Sequence, residues 1–143
     1  MSKIKVLALD LDGTLTNDQK EVTPRTRAAL DAAIAQGVTV VLASGRPTAG
    51  ITPLAKELGL DKKGGCILSY NGGKIVDCVT GETLVEKTLD PALVPELCAF
   101  AAAQDIAILT YNHEGIVCER DTDEWANKEC FTTKLPMIHV DDL

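Results

Sequence analysis

Two carboxylates stand two positions apart near the start of the chain, directly after an apolar run over residues 4–9. In a partly dry site, repulsion between Asp10 and Asp12 would be on the order of 4 kcal/mol at an effective dielectric of 20. A hard cation removes that cost, and Mg²⁺ prefers one or two carboxylates with phosphate oxygens and water. Gly13 lets the backbone turn beside a ligand, and the Thr14 hydroxyl can fix the turn. The pattern favours a magnesium and phosphate site, and the alternative is an ordinary Asp-rich turn.

Three apolar runs separated by helical patterns would bring such residues to one place. The first run is continuous enough for a central strand buried on both faces. Helices are predicted from Pro24 to a stop at Gly37 and over residues 48–58, so the fold class is α/β with a Rossmann-like parallel sheet. Ligands of such sheets bind beyond the carboxyl ends of the strands. The runs and the polar residues that follow them are 4–9 with Asp10 and Asp12, 38–43 with Ser44, and 66–69 with Asn71.

The sequence pattern changes after Gly72. We predict a Rossmann-like domain over residues 1–82 and an α+β domain over residues 83–143, with no element assigned to residues 135–143. The hairpin signal is Thr80-Gly81-Glu82. The later elements are predicted as hairpin strands over 74–79 and 83–89, a helix over 91–104, strands over 106–110 and 115–119, and a short helix over 121–128.

Composition excludes several classes of protein. The net charge of -7 argues against nucleic acid or an anionic membrane surface as a partner. Neither a membrane span nor a signal peptide is recognised, including at the N-terminus. The five cysteines are widely spaced and form no CxxC, so reduced thiols and a cytoplasmic location are expected.

The motifs together resemble those of a known family. The string Asp10-Leu11-Asp12-Gly13-Thr14-Leu15 resembles the first signature of the haloacid dehalogenase superfamily. Ser44 stands where the second signature has its hydroxyl residue. The strings that resemble the Cof-type branch are Ala43-Ser44-Gly45-Arg46-Pro47 and Asn71-Gly72-Gly73. The resemblance covers essentially the whole chain and implies a Mg²⁺-dependent phosphatase of small phosphorylated metabolites, with an α+β cap domain inserted in the core.

The resemblance also implies a role for each matching residue. Asp10 would attack phosphorus and form an aspartyl-phosphate, and Asp12 would act as general acid and base. The Asp10 carboxylate and the Asp12 backbone carbonyl would hold Mg²⁺. Phosphate or substrate would be bound by Leu11, Ser44, Gly45, Arg46 and Asn71.

Each candidate also has an ordinary structural interpretation. Ser44 would suit a helix N-cap before Pro47. Arg46 would equally suit a contact with a surface carboxylate, and Asn71 a left-handed turn. Solvent exposure is the expected state of His113 and His139. Weaker candidates for substrate contact are Tyr111 and Asn112.

The family pattern also requires a lysine and an acidic cluster that follow the cap domain in sequence, and nothing here matches them. Asp141 and Asp142 suit a solvated end, and Lys62 and Lys63 a polar loop away from the site. We therefore expect an N-terminal portion with an incomplete cap domain, weak or inactive alone. The alternative is a non-catalytic binding or oligomerisation module that associates through an exposed sheet edge or the cap domain. A signalling receiver domain is disfavoured because receivers lack the Asp-x-Asp-Gly-Thr turn.

Overall fold

The computed structural model describes residues 4–143, so the part of the signal-peptide prediction that concerns residues 1–3 lies outside the described residues. The chain divides into two compact units, the first ending at Lys87 and the second spanning Thr88–Leu143. The elements of the first unit are β1 (Val6–Asp10), α1 (Pro24–Ala35), β2 (Thr39–Ala43), α2 (Thr48–Glu57), α3 (Leu60–Lys63), β3 (Cys66–Ser69), β4 (Lys74–Asp77) and β5 (Thr83–Glu86). Those of the second unit are α4 (Val94–Ala103), β6 (Leu109–Tyr111), β7 (Ile116–Cys118), α5 (Glu124–Thr133) and β8 (Met137–His139).

One five-stranded sheet organises the first unit, in the order β1-β2-β3-β4-β5. The first three strands are parallel, which confirms the predicted Rossmann-like class, and β4 and β5 extend the sheet in antiparallel fashion. The predicted hairpin therefore belongs to this sheet. Since β5 pairs with β4, the first compact unit ends at Lys87.

Local signals explain where the first two helices begin and end. The Thr23 hydroxyl accepts a hydrogen bond from the Thr26 N–H at 3.2 Å, which caps α1, and Pro24 occupies its first turn. Gly37 follows α1 with a φ of +82°, and Gly59 follows α2 with a φ of +73°. These left-handed positions stop each helix at the point where the sequence predicted its end.

The apolar core lies on one face of the sheet, where residues of α1, α2 and α3 pack against alternate strand positions. Leu7 and Leu9 of β1 point towards this core, whereas Val6, Ala8 and Asp10 are exposed. The prediction that β1 is a central strand buried on both faces was therefore wrong. A continuous apolar run shows that both faces of a strand could be buried. β1 lies at one end of the sheet, and the helices cover only one of its faces.

Lys62 and Lys63 lie in the short helix α3 rather than in the predicted polar loop. The Lys63 Nζ donates to an Asp31 carboxylate oxygen at 2.8 Å. Since α3 immediately precedes β3, both lysines lie near the amino ends of the strands, away from the carboxyl edge, as predicted.

The second unit has a three-stranded sheet in the order β6-β7-β8, with β7 fully buried. β8 pairs in parallel with β7 and was not predicted, and α5 is longer than the predicted helix. The Asp123 carboxylate caps α5 by accepting from the N–H groups of Trp125 and Ala126, each at 2.9 Å. No helix within residues 4–143 has the length and apolar character needed to cross a membrane.

Candidate active site

The carboxyl ends of β1 and β2 bring the first two predicted residues together. Asp10 is the last residue of β1 and pairs with Ala43, so Ser44 follows directly on the neighbouring strand. The Ser44 N–H donates to the Leu68 carbonyl of β3 at 2.9 Å. The Asp10 carboxylate is exposed at this edge, where an incoming ligand can reach it.

The turn between the two carboxylates is anchored by Leu11. Its side chain is fully buried, and its carbonyl accepts from the Thr16 N–H at 2.9 Å and the Thr16 hydroxyl at 2.8 Å. Gly13 has a φ of +78°, which glycine adopts without strain. The hydroxyl seen to fix the turn is therefore that of Thr16, not the predicted Thr14. With its side chain in the core, Leu11 has only backbone atoms to offer a phosphate.

Ser44 caps its own turn and does not cap a helix. Its hydroxyl accepts from the Arg46 N–H at 3.2 Å. The N-cap position of α2 is Pro47, and no side chain caps that helix. The N-cap interpretation of Ser44 was therefore wrong, because α2 begins at Thr48 and Pro47 occupies its N-cap position.

The loop after β3 is locked against the loop after β2. The N–H groups of Asn71 and Tyr70 donate to the carbonyls of Ser44 (3.2 Å) and Arg46 (3.1 Å). Tyr70 and Asn71 both have a φ of +53°, which confirms the left-handed turn predicted for Asn71. Such residues cost on the order of 1–3 kcal/mol each and persist where surrounding contacts hold them. A Cβ on Gly45 would lie 3.1 Å from the Asn71 Oδ1, so glycine permits this close approach.

Two cations hold the Asp12 carboxylate. Arg46 donates from Nη2 to Oδ1 at 2.7 Å and from Nε to Oδ2 at 3.2 Å. Lys20 donates from Nζ to Oδ1 at 2.8 Å. Partial burial alone would raise the pKa of Asp12, but the hydrogen bonds from Lys20 and Arg46 outweigh it and lower that pKa below its usual value. The carboxylate that Arg46 contacts is thus the predicted acid and base itself.

Lys20 was missed in the sequence. It lies in a turn closed by Asn17, whose N–H donates to the Glu21 carbonyl at 3.0 Å and whose carbonyl accepts from the Lys20 N–H at 2.9 Å. The available signal was a basic residue beside a turn-forming asparagine, soon after an acidic pair. That signal is too common to have selected Lys20 from the sequence alone.

The oxygen donors fit part of a magnesium site. The Asp10 carboxylate and the Asp12 backbone carbonyl are hard ligands, and Mg²⁺ commonly takes its remaining ligands from water and phosphate. Within residues 4–143, no three His, Cys, Asp or Glu side chains gather closely enough to hold a metal ion. A complete all-protein cage is therefore absent from the described residues, and the two donors would suit a site shared with substrate.

The weaker candidates in the second unit have structural partners. The Asn112 side chain accepts from the N–H groups of Glu114 and Gly115, each at 2.9 Å, which forms a turn. The Tyr111 hydroxyl donates to a Glu129 carboxylate oxygen at 3.1 Å. His113 and His139 are exposed, as predicted.

The sequence profile of the haloacid dehalogenase-like hydrolases matches residues 7–142. The chain belongs to this family. This confirms the resemblance predicted from the motifs, including its Cof-type branch. A haloacid dehalogenase-like hydrolase from Bacteroides thetaiotaomicron is similar in structure, with a TM-score of 0.91 and 45% identity over 98% of this chain and 53% of that one.

Two relatives are similar in sequence. A candidate phosphatase of Streptococcus pyogenes is 34% identical over 139 residues, which are 95% of this chain and 51% of the relative. A 5-amino-6-(5-phospho-D-ribitylamino)uracil phosphatase of Bacillus subtilis is 28% identical over 98% of this chain and 48% of the relative. The chain thus spans about half the length of these haloacid dehalogenase-like relatives.

Proposed function

We propose that this haloacid dehalogenase-like chain contributes the nucleophile and the acid and base of a phosphoric monoester hydrolase. The observation that carries the proposal is the contrast at the end of β1. The Asp10 carboxylate is exposed, while the Asp12 carboxylate is held by Arg46 and Lys20. An accessible nucleophile beside an oriented proton carrier is what two-step phosphoryl transfer needs.

In the proposed reaction, an Asp10 oxygen attacks the phosphorus of a monoester. The bond from phosphorus to the leaving oxygen breaks, and a proton on Asp12 passes to that oxygen. Asp12, now a carboxylate, takes a proton from water, and the resulting hydroxide attacks the aspartyl-phosphate to release phosphate and restore Asp10. The ion pairs with Arg46 and Lys20 favour the carboxylate form of Asp12, which is the form needed for the water step.

The remaining predicted residues would bind and orient the phosphate. The Ser44 hydroxyl and the backbone N–H groups of Leu11 and Gly45 lie on the segments that follow β1 and β2, and the Asn71 amide lies beside Gly45. When bound by the Asp10 carboxylate and the Asp12 carbonyl, Mg²⁺ would draw negative charge from the phosphoryl oxygens. Positioning and charge compensation are most of what phosphoryl transfer requires.

A small phosphorylated metabolite is the proposed substrate class, and the second unit is proposed as part of a cap domain. Both sequence relatives carry the name of a phosphatase, and the name of one specifies a phosphorylated metabolite, which supports this substrate class. All five cysteines are free thiols, which supports the proposed cytoplasmic location.

Self-association is a second proposed property, favoured by a specific observation. β1 ends the sheet, and its Val6 is 56% exposed on the face opposite the helices of the first unit. Exposed strand edges of this kind pair readily with another chain. If the chain lacks catalytic activity, this surface supports the alternative of an oligomerisation or binding module.

Replacement of Asp10 by asparagine tests the proposed nucleophile. We expect a low but Mg²⁺-dependent release of phosphate from small phosphate esters by the unaltered chain, and complete loss of it in Asp10→Asn, because an amide cannot attack phosphorus. Asp12→Asn should slow release by roughly 10²–10⁴-fold, as is usual for lost acid–base catalysis.

Asp18→Asn provides a matched control, since Asp18 is an exposed aspartate of the following loop. Its turnover should equal that of the unaltered chain. Near-normal turnover by Asp10→Asn would refute the assignment. A complete lack of Mg²⁺-dependent hydrolysis in the unaltered chain would favour the non-catalytic alternative.

A further inference from the structure

The two carboxylates of the Asp-x-Asp pair have opposite surroundings. Both residues are exposed, but both oxygens of Asp12 accept hydrogen bonds from the cationic side chains of Lys20 and Arg46. We propose that Lys20 and Arg46 form a clamp that keeps the Asp12 carboxylate from binding a divalent cation and so reserves it for proton transfer. The inference deepens the proposed function, because it assigns Lys20 as a positioning residue of the same site.

The two arms of the clamp are built on separate segments. Lys20 has a φ of +64°, an unfavourable conformation for a lysine, and the hydrogen bonds around Asn17 hold the turn in it. Left-handed backbone at a residue other than glycine is kept where the surrounding structure fixes it. The Arg46 side chain is largely buried, and the Arg46 backbone carbonyl accepts a hydrogen bond from the Tyr70 N–H at 3.1 Å. The backbone of each arm is therefore held in place independently of Asp12.

The clamp changes what a divalent cation meets at this edge of the sheet. Two carboxylates two residues apart would attract such a cation jointly, and both would become ligands. With Lys20 and Arg46 in place, the Asp12 oxygens already have cationic partners, and two positive charges oppose the two negative charges of Asp10 and Asp12. A cation would then be directed to the Asp10 carboxylate and to backbone oxygen.

A double-mutant cycle with Mn²⁺ as the probe tests this directly. The affinity of Mn²⁺ is measured by electron paramagnetic resonance in the unaltered chain, in Asp12→Asn, in Lys20→Met with Arg46→Met, and in the triple variant. In the unaltered background, Asp12→Asn should weaken binding by about threefold, because one nearby charge is lost without loss of a ligand. In the Lys20→Met, Arg46→Met background the same change should weaken binding by about thirtyfold, because a direct ligand is lost as well.

The control removes two positive charges elsewhere. Lys56→Met with Lys62→Met changes α2 and α3 near the amino ends of the strands, and the effect of Asp12→Asn should remain about threefold there. Lys20→Met alone, in an exposed turn, provides a second variant should the Arg46 change impair folding, and it should enlarge the effect of Asp12→Asn in the same direction.

An equal effect of Asp12→Asn in all backgrounds would overturn the proposal. The proposal would also be overturned if the variants that lack Lys20 or both clamp residues bind Mn²⁺ no more tightly than the unaltered chain. Because no step of this experiment uses turnover, a chain without phosphatase activity can still pass it. If the double-mutant cycle shows no coupling but the chain hydrolyses phosphate esters, the clamp proposal is refuted and the proposed function stands.

Discussion

The two units of the chain bury their apolar side chains to different extents. The first has a contiguous core of ten buried residues drawn from β2, β3, the three helices α1 to α3 and the loops that follow β1 and α2. In the second, five apolar residues are buried, while Phe100, Trp125 and Phe131 are exposed. Phe131 is 82% exposed on a helix of ten residues. The first unit thus folds around its own core, whereas the second presents apolar surface that something else would have to cover.

The same contrast applies to chemistry. Every predicted catalytic or phosphate-binding residue lies in the first unit, on turns tied to buried strands. Polar side chains of the second unit, such as Asp123 and Asn112, cap a helix and close a turn. Precise placement of reacting groups needs a rigid support, and the unit with the complete core provides it.

We expect the largest difference in stability between a substitution in the core and one at an exposed site. Leu42 is fully buried in β2, so Leu42→Ala should lower the free energy of unfolding by about 2–5 kcal/mol. Phe131→Ala should change it by less than about 0.5 kcal/mol, as is usual for an exposed site. Urea unfolding measures both. If Phe131→Ala is as costly as Leu42→Ala, the exposed face of α5 is covered in solution and the contrast between the units fails.

Thiol reactivity gives a second, smaller test of the same contrast. Burial raises the pKa of Cys78 in the first unit to about 11, and burial also raises the pKa of Cys130 in the second unit. At pH 8, Cys78 should react with iodoacetamide about 100-fold more slowly than a thiol of ordinary pKa. Mass spectrometry of labelled peptides over a pH series measures the rates.

The direction of the pH dependence follows from the raised pKa. A folded-state pKa above the unfolded value of 9.0 contributes stability that is present below pH 9 and lost as the pH rises towards 11. Cys78→Ser should reduce the pH dependence of unfolding in that range. Labelling of Cys78 as fast as that of Cys130 at pH 8 would mean that the first unit opens locally.

The sequence predicted the parts of the fold that local rules determine. Thr23-Pro24 and Gly37 marked the ends of α1, and apolar runs ending in Asp10, Ser44 and Asn71 placed three loops at one edge. These predictions succeed because helix caps and turn residues depend on neighbours in the chain, and because strands joined by a crossover helix usually lie side by side in one sheet. The family motifs then added roles that spacing alone could not provide.

What the sequence did not predict depends on contacts between distant residues. The pairing of Lys20 and Arg46 with one carboxylate requires two loops to meet, and no local pattern marks it. The parallel pairing of β8 with β7 joins segments separated by α5. The exposure of β1 on one face depends on which elements cover the sheet, and the composition of the strand does not determine that.

The smallest expected effect concerns the bare face of the first unit. Val6 of β1 is 56% exposed, and Val79, beside the hairpin turn, is 54% exposed, so the two valines are matched in exposure and differ in position. We expect the chain to self-associate through β1. Val6→Lys should weaken this association by about tenfold, because a charge at an exposed strand edge opposes pairing with another chain. Val79→Lys should leave it unchanged, since Val79 lies outside the strands.

Sedimentation equilibrium of the three proteins over a concentration series distinguishes the outcomes. A specific contact through β1 predicts that only Val6→Lys shifts the dissociation constant. Equal weakening by both lysines would indicate association driven by general apolar exposure, with no defined surface. A monomer at all concentrations in the unaltered chain would contradict the association, and the exposed face of β1 would then be stable in water despite its apolar composition. In that case both units would keep exposed apolar surface in water. Exposed apolar surface would then no longer distinguish the second unit from the first.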